Sequence, residues 1–234
     1  MRPDDPALLA LLLNAYAQGV FPMGTDAPVP AHKLGLAGAR GRWVHWVTVD
    51  PRSIIPLDSF RPSRSLRSTV RAKKFVVTSN VAFARVIQSC AAVPRGTSSG
   101  GTWINPWIID AFLTLHAAGH AHSIEAWLID PAAPDAPPTL VGGLYGVQLG
   151  GAFCGESMFS RPDLGGTDAS KVCLVHLVHH LRQRGFALLD TQYSNPHMDQ
   201  FGIKNLPRAE YLGLIRSASA MTVDWGWPAS LVER

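Results

Sequence analysis

Apolar residues recur along this chain in two rhythms, one every three to four residues and one in short continuous or alternating runs. The first rhythm predicts helices. Leu8, Leu9, Leu12 and Tyr16 follow Asp5-Pro6, an N-cap with proline in the first turn, and Gly19 supplies the stop. Phe83–Ala91 is a second helix, with Val86, Ile87 and Cys90 inward and Asn80 as its cap. Asn105-Pro106 opens another, whose buried side carries Ile108, Phe112 and Leu115 before Gly119 ends it. Leu174, Leu177, Val178 and Leu181 form an i, i+3, i+4, i+7 stripe that ends at Gly185, and Pro207–Ile215 is the last helix.

The second rhythm predicts strands. Trp43–Arg52 alternates Trp43, His45 and Val47 and ends in an Asp-Pro-Arg turn. Phe75–Thr78, His120–Ile129 and Phe186–Gln192 are further strands, the last apolar until its polar C-terminal tip. Between them lies GGLYGVQLGGAFCGESMFS, residues 142–160, in which Gly150-Gly151 joins two apolar runs as a hairpin turn. Phe21-Pro22 leaves the first helix in an extended path. Gly24–Arg42, Val93–Gly101, Asp130–Pro138 and Arg161–Thr167 read as loops, and the tail with Trp225 and Trp227 follows no pattern. Strand, helix, strand with a polar tip is a frequent arrangement for a site in α/β folds. The expected fold class is α/β (α+β), with a boundary near Gly100 between a small mixed N-terminal domain, 1–100, and a βαβ-containing domain, 101–234.

Composition narrows the function classes. With 47% hydrophobic and 16% charged residues, the 234-residue chain is globular rather than disordered. Three scattered cysteines without CxxC spacing argue against a disulfide framework or a zinc site, and nine histidines show no HExxH pattern, so no metal is expected. No basic n-region precedes the first apolar run, and no run reaches the roughly 20 residues of a membrane span. The expected compartment is a reducing cytoplasm, with no membrane partner. The net charge of +4 permits an anionic partner. Arg61, Arg64, Arg67, Arg71, Lys73 and Lys74 accumulate with no acid among them, and Arg64, Arg67 and Arg71 share one face of a helix. A merely solvated face normally mixes both signs, so phosphate contact is the favoured reading.

Candidate chemistry gathers in the second half. Glu156 is a lone acid among Phe153, Met158 and Phe159, either at the solvent end of a strand or a functional acid. Asp190 and Gln192, two apart on a strand, present their side chains to one face. Together with Asn195 they suit the holding of an amine, the acid taking N–H bonds or a proton and the amide orienting the partner. Ser157 does not sit in a GxSxG elbow, and no glycine-rich turn has P-loop spacing.

The segments AYAQGVFPM, WVTVDPR, TWIN, HSIEAW, GGLYGV, GESMFS, DASK and DTQ, in this order, closely resemble the leucyl/phenylalanyl-tRNA–protein transferase family from about Asn14 to about Ile215. The resemblance implies a cytoplasmic bacterial enzyme that moves Leu or Phe, and less readily Met, from aminoacyl-tRNA to an N-terminal Arg or Lys, marking proteins for degradation in the N-degron pathway. It implies an acetyltransferase-like (GNAT) C-terminal domain, no metal and no organic cofactor, and tRNA rather than DNA as the nucleic-acid partner. Carried over, the family's acids and amides fall on Glu156, Asp190, Gln192 and Asn195, and the aminoacyl side-chain pocket on Leu144, Phe153, Met158 and Leu174. Trp103 matches the tryptophan that meets the terminal adenosine, and the basic ridge with Lys73 and Lys74 becomes the tRNA contact. DASK stands for the usual NASK and DTQ for DCQ, and residues 196–207 depart from the family pattern, which leaves the acceptor contacts less defined than the donor site. Two other readings stay open on the residues alone: transfer to a different amine acceptor, and non-catalytic binding of aminoacyl-tRNA or of basic N-termini.

Overall fold

A computed structural model describes residues 6–25, 35–37, 43–93 and 102–228. Asp5, most of the expected loop 24–42 and residues 94–101 of the expected loop 93–101 lie outside the described residues. The chain forms a mixed α/β fold built on one large sheet. In chain order the elements are α1 (Pro6–Ala17), β1 (Phe21–Thr25), β2 (Gly35–Ala37), β3 (Trp43–Val47), β4 (Arg52–Ile55), α2 (Arg64–Arg71), β5 (Val76–Ser79) and α3 (Phe83–Ala92). Then come α4 (Pro106–Ala117), β6 (Ala121–Leu128), β7 (Thr139–Leu149), β8 (Ala152–Ser160), α5 (Ala169–Arg184), β9 (Leu188–Gln192), α6 (Pro196–Asp199), β10 (Lys204–Leu206) and α7 (Arg208–Ser219). The seven-stranded sheet has the order β10-β4-β9-β8-β7-β6-β5, and β1-β3-β2 form a small separate one. Within the large sheet only β8 and β9 run parallel, because α5 crosses between them.

Local chemistry accounts for most of these boundaries. Asn105 caps α4 by accepting from the Ile108 N–H at 3.0 Å, with Pro106 in the first turn. Gly19, Gly119 and Gly185 follow their helices at φ of 70° to 80°, the left-handed conformation that glycine adopts without a Cβ penalty. The β7–β8 hairpin turns on Gly150-Gly151, Gly150 having φ 53°. A Cβ on Gly150 would lie 2.5 Å from the Met221 carbonyl, so the turn is tight against the tail.

Two expectations need correction. The strand from Trp43 ends at Val47, and Arg52 opens β4, a strand the sequence pattern did not separate. Asn80 does not cap α3. It sits at φ 62° and bonds back across the β5–β6 pair, accepting from Ser123 N–H and meeting His122 Nδ1. The start of α3 is served instead by the buried Glu125, whose carboxylate accepts from Ala82 N–H, Thr78 and Ser123.

The sheet lies between two apolar layers. On one face α1, α3, α4 and α7 bring Leu12, Ile87, Phe112 and Ile215 onto strand residues such as Val147 and Cys154. On the other, α2 and α5 bring Leu66, Val178 and Leu181 onto Val141, Phe153 and Leu189. Phe153 and Cys154, successive in β8, face opposite layers, as do Leu188 and Leu189 in β9. The tail closes over the second layer. The buried Trp225 stacks on His122 at 4.0 Å and 2°, and Arg184 holds Asp224 at 2.8 Å. Strands from both sides of residue 100 share the sheet. No helix of the described residues is long and apolar enough to cross a membrane.

Candidate active site

The site begins with a slip in register. β7 and β8 pair Tyr145 with Ser157 but Gly146 with Gly155, so Glu156 is the extra residue of a β-bulge. The bulge reverses the alternation of β8. Before it, Ala152 and Cys154 face the first layer and Phe153 the second; after it, Phe159 faces the first and Met158 the second. Glu156 emerges at the reversal, and its Oε1 accepts from Tyr16 Oη of α1 at 2.8 Å and from Gln192 Nε2 at 3.3 Å. Burial is the main cause that pushes the Glu156 carboxyl up to about 8. The Tyr16 hydrogen bond pulls it down, the charge of Asp190 pushes it up and Arg52 pulls it down. Tyr16, itself buried beside this acid, has its hydroxyl pKa raised well above the ordinary value, chiefly by burial.

Asp190 has a different setting. Arg52 donates from Nε to Oδ1 at 2.9 Å and from Nη2 to Oδ2 at 2.7 Å, a bidentate pair with 1% and 0% exposure. Tyr211 Oη donates to Oδ2 at 3.1 Å, and Gln192 N–H donates to Oδ1 at 3.0 Å. The guanidinium is also held by the Gly19 carbonyl at 3.2 Å and lies between the Phe21 and Tyr211 rings, 4.9 and 4.8 Å from their centroids. Burial works against the charge of Arg52, and the hydrogen bonds and attraction of Asp190 outweigh it, so its pKa stands above the ordinary arginine value. The bond to Asp190 Oδ1 fixes Gln192 at φ 60°, uncommon for a residue with a side chain. Asp190 thereby sets the backbone from which Gln192 reaches Glu156.

A cavity of about 640 Å³ opens where β9 parts from β8. Glu156 and Gln192 line it, together with Leu144, Met158, Leu174 and Asn195. Leu177 of α5 and Met198 of α6 add to its apolar wall. Thr167, Asp168, Ser170 and Lys171 provide polar lining, with Lys171 paired to Asp168 at 2.8 Å. The arrangement joins an apolar pocket to an acid that changes charge near pH 8 and to a carboxamide held by its own backbone.

The family model of Leucyl/phenylalanyl-tRNA protein transferase matches residues 54–216. A leucyl/phenylalanyl-tRNA–protein transferase of Salinibacter ruber is 44% identical over 231 residues, which cover 99% of this chain and 88% of the relative. This chain belongs to the leucyl/phenylalanyl-tRNA–protein transferase family. Among solved structures, the crystal structure of FemX is similar with a TM-score of 0.43 and 11% identity, covering 88% of this chain and 65% of that one.

Within this transferase the residues named from the sequence divide into three groups. Glu156, Gln192, Leu144, Met158, Leu174 and Asn195 come together at the cavity. Asn195 also caps α6, its Oδ1 accepting from Met198 N–H at 3.0 Å. Asp190 lies beneath the cavity rather than in its lining, and Phe153 is buried in the second layer against Trp225, their ring centroids 5.4 Å apart. Trp103 packs on the first layer, its carbonyl accepting from Gly24 N–H, and does not line the cavity. Arg64, Arg67 and Arg71 lie exposed on α2, followed by exposed Lys73 and Lys74, with Leu66 the buried anchor and Ser63 the cap. Sequence reasoning missed Arg52, Tyr16 and Tyr211. Arg52 had a signal, since a cation in an apolar strand start needs a buried partner. Tyr16 and Tyr211 lie on the buried stripes of their helices and had none.

Proposed function

We propose that the protein transfers Leu or Phe, and less readily Met, from aminoacyl-tRNA to the N-terminal Arg or Lys of proteins, in the cytoplasm, marking them for degradation. The observation that carries this reading is Glu156, pushed up to about 8, at one end of a cavity lined by Leu144, Met158 and Leu174. The ester of aminoacyl-tRNA is already activated, so catalysis is mainly alignment of an amine with its carbonyl. The donor side chain enters the apolar wall. The acceptor's α-amine, with an ordinary pKa of about 7.7–8.0, lies against Glu156 and Gln192. Gln192 gives its N–H to Glu156, which leaves its carbonyl oxygen to accept from the amine.

As the C–N bond forms and the ester C–O bond breaks, Glu156 takes the amine proton and the departing 3′-oxygen of the tRNA is protonated in turn. Glu156 and Gln192 are thus the catalytic residues, and Asp190 is a positioning residue that acts through Gln192. Asn195 positions Met198, and Phe153 supports the pocket from behind. The exposed ridge Arg64, Arg67, Arg71, Lys73 and Lys74 suits tRNA phosphates, and Trp103 the terminal adenosine near the first layer. The parting of parallel β8 and β9 beside the site supports an acetyltransferase-like (GNAT) reading of residues 101–234. The division at residue 100 is then not one of sites: the basic ridge for tRNA lies before it and the cavity after it, but Arg52 and Tyr16 also reach the transfer site.

Transfer of labelled Leu from Leu-tRNA to an Arg-starting peptide, beside a Ser-starting control, tests the function. Label should enter the Arg peptide alone. Equal labelling of both peptides, or of neither, would overturn it.

A further inference from the structure

β9 accompanies β8 only as far as the Cys154–Asp190 pair. From Gly155 to Ser160 every residue of β8, six in succession, lines the cavity. A strand that turned one face to the cavity would contribute alternate residues. An unbroken run means that the edge of the strand, with its main-chain groups, faces the space. This edge starts beside Glu156 and runs outward to Ser160, which the exposed Arg161 follows.

We propose that the acceptor polypeptide docks along this edge in extended form, as an added strand, with its α-amine at Glu156 and its next residues running toward Ser160. The inference rests on the transfer reading above and names how that reaction's acceptor is held. Strand addition satisfies the main chain of any sequence, because hydrogen bonds carry the affinity and side chains alternate away from the edge. A polypeptide matches this edge better than a nucleic acid strand, which has no N–H and C=O ladder at β spacing. The donor does not compete for it, since Leu144, Leu174 and Leu177 place the aminoacyl pocket in the α5 layer. Recognition beyond the first acceptor residue would therefore be by backbone rather than by side chain.

Modifying the acceptor's backbone, rather than the protein, tests this without disturbing the fold. An Arg-starting peptide is N-methylated at one of its second to fifth residues at a time, and a parallel set replaces the same amide by an ester. With the unaltered protein and Leu-tRNA, KM for the peptide should rise at alternate positions in both sets, by about three- to tenfold for each lost hydrogen bond. Intervening positions should change less than about twofold. A flat profile, a loss that fades steadily with distance, or a loss with methyl groups but not esters would overturn strand addition. Failure to leucylate the unmodified peptide would instead be a failure of the transfer reading.

Discussion

Glu156 and Asp190 are carboxylates on neighbouring strands, Glu156 lying two residues beyond the Cys154 that pairs with Asp190, and the protein treats them oppositely. Asp190, which does not line the cavity, is closed into a knot with Arg52, Tyr211 and the Gln192 N–H. Among the described residues Glu156 receives Tyr16 and Gln192, both on Oε1, and it lines the cavity. A carboxylate given a bidentate cation serves as structure, because opening the pair would leave a buried charge. A half-buried carboxylate without a direct cation has its ionisation moved toward neutrality, where it can exchange a proton with an amine. The difference lies in the partners rather than in the residue type.

The largest test removes one side of the knot. Asp190→Ala leaves the Arg52 guanidinium buried between Phe21 and Tyr211 without its counter-ion, and should cost about 3–5 kcal/mol of stability. Urea denaturation should show a much lower midpoint, with transfer activity lost in parallel. A variant of full stability that merely turned over slowly would reverse the roles assigned to the two acids.

Glu156→Gln should do the opposite. The protein should lose no stability at neutral pH, whereas kcat should fall by about a hundredfold or more, within the range of general acid–base contributions. Below pH 8 the wild-type log(kcat/KM) should climb with two ionisations, that of the acceptor amine and that of Glu156, and the variant should keep only the first. Stability provides a second readout. The folded-state pKa of Glu156 is raised from 4.5 to about 8, so its contribution is complete below pH 4.5 and is lost as pH rises through about 8. The variant should therefore gain stability relative to wild type progressively as pH rises from about 4.5 to about 8. An unchanged pH profile would move proton transfer to another group.

The smallest test trims one hydroxyl from each acid. Tyr211→Phe should cost about 1 kcal/mol with the activity–pH profile in place. Tyr16→Phe removes a hydrogen bond that lowers the Glu156 pKa, so the upper ionisation should move to higher pH. Identical profiles from the two variants would erase the distinction.

Several elements were legible before the fold was known because their causes are local. The Asn105-Pro106 start of α4, the Gly185 stop of α5 and the Gly150-Gly151 turn each follow from steric or hydrogen-bonding preferences of adjacent residues. Asn80 shows the limit of that logic. Its side chain can cap a helix, yet the partners it finds, Ser123 and His122, lie across the sheet and outside any local window. The segment after Val47 was misread for a related reason, since a short strand is defined by the neighbours it meets, here β9 and β10.

The sequence by itself determined most of the helices and the hairpin, the exposed basic ridge, and the residue types that gather at the site. Those properties arise from side-chain periodicity, backbone preference and charge, which act over a few residues. Only the tertiary structure decided which acid is locked to a cation and which lines the cavity. The bonds that settle it, Arg52 to Asp190 and Tyr16 to Glu156, join residues 138 and 140 positions apart, and the bulge at Glu156 exists only against its β7 partner. A pKa depends on burial and on the charges that folding brings near. Neither is written in the neighbours along the chain.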